Sequence, residues 1–291
     1  MRALRATMSA LLEVVTMRKL LSADFSRLFK SSVFYILALF IILFAGFRLL
    51  NIASDPSNSP DDGLFIYAVV MGVIMAVFVS LYVGTEHSCH TIRNKLIAGH
   101  TRINIYLSNY IVCTVAGWIL CSLYCVASLA LGRHVAGVFK AEAADIIATI
   151  LCIYLLTAVY AGIFVLLVMI YTNYAAAAVA CVLLALATVI LGINVMAKLQ
   201  EPEKIEIMEY TVDGEEAQTE LEDNPKYVSN ETVRRIYETI NDVLPGGQSI
   251  QVSGMINEIS RPPARFYVYD IIIILFTCGL GVMIFGKKDL K

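Results

Sequence analysis

Six long apolar runs, almost free of charge, restrict this chain to one kind of fold. They cover 33–50, 64–84, 105–132, 144–171, 174–197 and 266–286. Each meets or nearly meets the roughly 20 residues that an α-helix needs to cross the hydrocarbon of a bilayer. Residues 105–132, 146–171 and 174–197 contain no Asp, Glu, Lys or Arg. In lipid every backbone N–H and C=O must find its partner within the protein, so such runs become helices. Only Tyr171-Thr-Asn-Tyr174 divides the fourth run from the fifth, and the combined stretch is far too long for one span, so a tight helical hairpin is expected there. With 58% hydrophobic and 16% charged residues, the chain is more apolar and less charged than a soluble domain. The expected fold class is an all-α polytopic membrane protein with six transmembrane helices.

Charge sorting gives the orientation. The first 32 residues carry six Lys/Arg, the segment between the second and third runs carries three, and the C-terminal GKKDLK adds three. With six spans all of these fall on one side, which the positive-inside rule makes the cytoplasm, so both termini are expected there. The opposite side receives 51–63, with three Asp and no Lys/Arg, the short turn 133–143, and the long segment 198–265, with fourteen acids and seven bases. The expected organisation is therefore a cytoplasmic tail and interfacial helix at 1–32, five helices over 33–197 with a basic loop at 85–104, an extracellular segment at 198–265, and the sixth helix and tail at 266–291. The net charge of −2 provides no basic field for nucleic acid. Six of the seven cysteines fall in apolar runs, the seventh is in the basic loop, and none is in 198–265, which argues against a disulfide framework.

Residues 18–31 read as an amphipathic helix. Leu21, Phe25, Leu28 and Phe29 share one face and Arg18, Lys19, Arg27 and Lys30 border it, a pattern suited to the headgroup region. Arg48, near the far end of the first span, is expected to snorkel. Within 198–265, residues 231–244 predict an amphipathic helix with Val233, Ile236, Tyr237, Ile240 and Leu244 on one face, ended by Pro245-Gly246-Gly247. Weak alternation at 204–212 and 249–253 predicts short strands, so this insertion between helices 5 and 6 is expected to be α+β. Asn230-Glu-Thr232 has the pattern of a glycosylation acceptor.

The most informative polar stretch is 84–106, GTEHSCHTIRNKLIAGHTRINIY. Thr91 to Ile97 can form two helical turns, and Gly99 suits their end. Ile92 and Leu96 lie four apart on one face, flanked by Arg93 and Lys95. A short basic helix with an apolar ridge is suited to a groove on a cytoplasmic partner. Glu86, Thr91-Ile-Arg-Asn-Lys-Leu, Ala98-Gly99, Thr101-Arg102 and Ile105-Tyr106 together resemble the loop between the first two membrane hairpins of type-2 ABC transporter permeases. The likeness covers about twenty residues, the rest of the chain resembling the family only in layout.

The resemblance implies that this loop is a coupling helix docking on a separate P-loop ATPase, two copies of which would serve two permease subunits, as a homo- or heterodimer. Glu86, Thr91, Ile92, Arg93, Asn94, Lys95, Leu96, Gly99 and Arg102 would form the contact. Ile92 and Leu96 would be buried anchors, Arg93 and Lys95 a charged rim, and Glu86 an orienting acid paired with Arg93 or Arg102. The N-terminal amphipathic helix would lean on the same ATPase. Met17 resembles a natural start for such a permease, making 1–16 an upstream extension or a mobile tail. The location implied is a bacterial cytoplasmic membrane, and the family's helices between spans five and six suggest a gate-like role for 231–244.

No G-x-x-x-x-G-K-[ST] motif occurs, so ATP and Mg would belong to the partner and no cofactor is expected in this chain. No hydrolase elbow or zinc-protease motif occurs, and no enzyme activity is expected of it. His87, Cys89 and His90 are close enough to ligate zinc, with His100 nearby, but no paired motif completes a set; they read as residues capping the second span. Asp145 and Asp270 are expected near the outer ends of their spans, reaching headgroups. Ser108, Asn109, Thr114, Ser122, Ser128, Thr157, Asn173 and Asn194 read as interhelical hydrogen bonders. The spans lack the midplane charges of ion-coupled transporters. Such an interior suits a hydrophobic or amphipathic cargo, an exported peptide above all. The alternative is a membrane sensor or immunity protein with 198–265 as its binding domain.

Overall fold

The computed structural model describes residues 16–54, 59–61, 63–89, 91–171, 173–209, 218–254 and 259–287. The expectations for residues 1–15 lie outside them. The first described element is a helix over 16–28 (α1). It is followed by α2 (Ser32–Ser54), α3 (Tyr67–Ser88), α4 (Thr91–Ile97), α5 (Arg102–Ala136), α6 (Ala143–Ile170) and α7 (Tyr174–Gln200). Then come β1 (Lys204–Glu209), β2 (Gln218–Asp223), α8 (Glu231–Val243), α9 (Pro245–Val252) and α10 (Ala264–Lys287). Six of these helices, α2, α3, α5, α6, α7 and α10, are long and apolar enough to cross a membrane. The protein is a multi-pass helical membrane protein.

The hairpin between α6 and α7 is made by Asn173. Its side chain accepts from the N–H groups of Ala175 and Ala176, supplying the cap that a new helix needs after a break. α3 and α6 form the centre: 67% and 61% of their apolar windows are buried, against 28% for α2 and 22% for α7 and α10. α3 packs on α7 and α6, α2 on α5, and α10 on α6. Tyr67, Phe78, Tyr106, Tyr124, Tyr160 and Phe164 are fully enclosed between them. The exposed apolar side chains of α2, α7 and α10 face outward, as lipid solvation requires.

The two ends of the bundle differ. One end holds α1, α4 and the start of α5. The other holds α8, α9 and an antiparallel β1–β2 ladder, in which Lys204 pairs with Asp223 and Glu209 with Gln218. The expected strand at 249–253 is instead part of α9. Pro245 ends α8 as anticipated but also opens α9, occupying a first-turn position where its missing N–H costs nothing. The strand partner that forms is Gln218–Asp223. α9 is buried along nearly its whole length.

Two charged residues depart from expectation. Arg48 is buried, not snorkelling, and its Nη2 donates to the Pro60 carbonyl at 2.5 Å. Asp270 is fully enclosed beside Gln248 of α9, so it does not reach headgroups. The sixth span thus carries an enclosed acid, and the uncharged-interior argument against ion coupling is weaker than composition suggests. Asp145 is half-buried and lines a polar pocket with Ser59, Asp61, Lys140 and Glu142.

α9 fits only because glycines remove its side chains. A Cβ at Gly246 would stand 2.2 Å from the Thr188 backbone of α7, and one at Gly247 2.3 Å from the Asn241 carbonyl of α8. Overpacking of this kind costs about 1–3 kcal/mol. Gly246→Ala is expected to lower the melting temperature in detergent, whereas Gly286→Ala, with open space around its Cβ, leaves it unchanged. Equal melting of both variants would exclude this seating.

Candidate functional site

α4 begins directly after α3 and is closed by a tight C-terminal turn. Gly99 adopts φ +90°, the His100 N–H reaches the Lys95 carbonyl at 3.1 Å, and the Gly99 N–H reaches Leu96 at 3.0 Å. This double bond is the Schellman arrangement, and glycine is the residue that enters its left-handed position without strain. Thr101 then caps α5 by accepting from the Asn104 N–H at 3.2 Å. The chain thus stops one helix and starts another with only four residues, 98–101, between them.

The short helix turns its expected ridge inward. Ile92 is buried in the core and Leu96 packs against it, so within this chain they hold α4 to the bundle. Lys95 also turns inward. Its Nζ lies 2.7 Å from Asp24 Oδ1 of α1 and bonds to Glu86 Oε1 of α3. The outward surface is Arg93, Asn94, Ala98 and Gly99, with Ile97 77% exposed. Thr91 is half-buried at the first position of α4, and Arg102 is half-buried at the first position of α5.

Glu86 pairs not with Arg93 or Arg102 but with Lys95 and Arg27. Arg27 Nη1 is 2.5 Å from Glu86 Oε1, and the Asn109 amide donates to Glu86 Oε2 at 2.7 Å. Ser108 donates to Asp24 Oδ2 at 2.6 Å, and the Tyr82 hydroxyl donates to the Asp24 carbonyl at 2.8 Å. The Arg27 guanidinium lies 4.0 Å from the centre of the Tyr82 ring, a cation–π contact that occupies the face its other nitrogens leave without hydrogen bonds. Burial alone would pull the Arg27 pKa down, but Glu86, Tyr82 and Asp24 together outweigh it and hold it above its ordinary value. Two acids and two bases from α1, α3 and α4 thus neutralise one another, and α5 contributes two neutral donors.

α1 joins this site through a face that differs from the expected one. Leu20, Asp24 and Leu28 are buried in a row four residues apart, Leu21 and Phe25 are half-buried beside them, and Phe29 is exposed. Arg18 and Lys19 remain exposed. Sequence reasoning missed Asp24, Arg27, Tyr82 and Lys95 as one network. The available signal was Asp24 itself, the single acid within a basic helix, placed in the leucine row. Ser108 and Asn109, expected as interhelical hydrogen bonders, have that role here with charged partners. The side chains of His87 and His90 lie outside the described residues. Cys89 is an exposed thiol, and among the described residues no cluster of three His, Cys, Asp or Glu could hold a metal. No protein-family model matches this chain, and no curated protein matches it either.

A buried ion pair that loses one member leaves an uncompensated charge, a loss of about 3–5 kcal/mol. Glu86→Ala is therefore expected to destabilise the protein in detergent by that order. Adding Lys95→Met should recover part of the loss, because one acid and one base are then removed together and the net charge of the cluster is restored. Strict additivity in this double-mutant cycle would show that the two residues are not coupled.

Proposed function

We propose that this chain is the membrane-spanning permease subunit of an ATP-driven ABC exporter, located in a bacterial cytoplasmic membrane with both termini cytoplasmic. A separate P-loop ATPase docks on the outward face of α4, and a second permease subunit completes the transport path. The observation that carries this reading is the way α4 is mounted. Its exposed side offers Arg93, Asn94 and Ile97 to a partner, while Lys95 on its inner side pairs with the acids of α1 and α3, which in turn accept hydrogen bonds from α5.

Such a mount converts a push into a movement of helices. A displacement of α4 acts on Glu86 at the end of α3 and, through Asn109 and Ser108, on the first turns of α5. α3 in turn packs on α6 and α7 in the centre of the bundle. A loop that served only topology would need neither this rigidity nor an exposed isoleucine. The sorting of basic residues to this end supports its placement in the cytoplasm. ATP and Mg are bound by the ATPase, and this chain supplies no hydrolytic group. The predominantly apolar interior supports a hydrophobic or amphipathic cargo, with a peptide the best fit.

Ile92 is unsuitable as a probe of docking, since Ile92→Asp would place a charge in the core. Ile97→Asp and Arg93→Glu change only the exposed face. Purification from the native host in mild detergent is expected to recover a P-loop ATPase with the wild-type protein. Both variants should lose it while keeping the wild-type gel-filtration profile. Absence of an ATPase from the wild-type preparation, or its full retention by both variants, would overturn the assignment.

A further inference from the structure

Asp270 stands in the second turn of α10, fully enclosed. Gln248 of α9 and Cys152 and Tyr160 of α6, all buried, lie within electrostatic reach of its carboxyl. The Gln248 amide donates to the Asp242 carbonyl at 2.6 Å and also faces the Asp270 carboxyl. None of these three neighbours is a base. Asp242 of α8 and Arg265 of α10 pair with each other at 2.7 Å. On α5, Tyr106 meets α10 further along, donating to the Thr277 carbonyl at 3.2 Å. Among the described residues no Lys, Arg or His forms an ion pair with Asp270.

The acids at the other end of the bundle meet the same difficulty differently. Asp24 and Glu86 are also withdrawn from water, but Lys95 and Arg27 compensate them. A carboxylate enclosed without a counter-charge is strongly disfavoured and takes up a proton instead. A divalent metal ion is a poor substitute, since it needs about six oxygen ligands. Among the described residues no group of three His, Cys, Asp or Glu could hold one. The N–H that Gln248 turns toward the carboxyl also opposes a cation, whereas it suits the carbonyl oxygen of a neutral acid.

A path for the proton is present on the same side of α10. Tyr267 precedes Asp270 by three residues, so it lies one turn nearer the helix start, a rise of about 4.5 Å. Its hydroxyl donates to the Ala148 carbonyl of α6 at 2.8 Å. With Ala148, Leu151, Arg261, Pro262 and Ala264 it lines an open cleft of about 510 Å³. The cleft joins the starts of α6 and α10, so it opens at the end of the bundle opposite α4. Half-buried Tyr267 thus stands between Asp270 and the water of that side.

We infer that Asp270 is a proton-binding site served from the aqueous side opposite α4, through the cleft at Tyr267. With the proton bound, the carboxyl is neutral and α9 stays seated with Gln248 beside it. When the proton leaves to that water, the bare carboxylate has no partner in the bundle, and α9 moves off to admit solvent. The sign follows directly: the closed arrangement is favoured at low pH on that side and lost as the pH there rises. The site acts in this way whether or not an ATPase drives the bundle.

Modification by dicyclohexylcarbodiimide, a lipid-soluble reagent that attacks protonated carboxyls, tests the assignment. The full chain is used in membrane vesicles with the pH set separately on the two sides. The side bearing α4 is identified by a membrane-impermeant maleimide at the exposed thiol of Cys89. Mass spectrometry is expected to find an adduct at Asp270. Its yield should fall severalfold when the pH is raised opposite Cys89, and stay constant when it is raised on the Cys89 side. A yield that follows the Cys89 side, both sides equally or neither would overturn the proposal. Infrared spectroscopy covers the case in which the reagent fails to enter. The carbonyl stretch of a protonated carboxyl is expected in the wild type and lost in Asp270→Asn, and identical spectra would refute protonation. Asp270→Asn imitates the neutral acid in size. It is expected to melt like the wild type in mildly acidic buffer and to lack the wild type's decline in alkaline buffer. An equal decline in both would refute the coupling to closure.

Discussion

Four charges withdrawn from water at one end of an apolar bundle set the terms for the rest of this protein. Asp24, Arg27, Glu86 and Lys95 come from three different helices, and every ion pair among them joins one helix to another. Moving such groups out of water costs several kcal/mol each unless every one finds a counter-charge and enough hydrogen bonds. The arrangement is therefore all-or-nothing: α1, α3 and α4 must be present together, and the start of α5 must supply Ser108 and Asn109. Apolar packing in lipid is permissive about register, because acyl chains solvate leucine as well as another leucine does. The charged cluster is not permissive, and it gives this end of the bundle a unique arrangement.

The lengths of the helices fit that requirement. α5 has 35 residues, about 50 Å at 1.5 Å per residue, well beyond the hydrocarbon thickness of a bilayer. Its first turns can therefore meet the polar cluster while its later turns still pack against α2 and α6. α3 carries Glu86 at its end and runs through the centre of the bundle, so the cluster and the core share a rigid element. The opposite end is built differently, with a short buried helix, an amphipathic helix and a small hairpin replacing the ion network.

The six spans were legible because lipid imposes a length and a composition that few other environments do, and all six appear with shifts of only a few residues. The short helix at 91–97 and its glycine stop were equally readable, since a Gly positioned just past a polar turn has one common use. What could not be read was direction. The spacing of Ile92 and Leu96 showed that they share a face but not which body that face meets, and they pack on their own chain. The partner of Glu86 was similarly hidden, since Asp24 and Arg27 stand some sixty residues earlier and periodicity carries no information across that distance. The strand expected at 249–253 failed for a local reason: alternation over five residues is weak, and Pro245 at a helix start outweighed it. Asp270 looked like a boundary residue by its place in the run, whereas the burial around it depends on α9, whose insertion no local pattern announces.

The close fit of α9 has a consequence for motion. Gly192 of α7 meets Gly246 and Gly247 of α9 backbone to backbone, with no side chain between them. Most helix contacts can absorb a small shift by changing rotamers, but a contact made of main chain has no such slack. α7 therefore cannot roll about its own axis without taking α9 with it, and α8 follows through Leu244. The three behave as one solid crank, and whatever rearrangement the bundle undergoes must swing this piece as a whole.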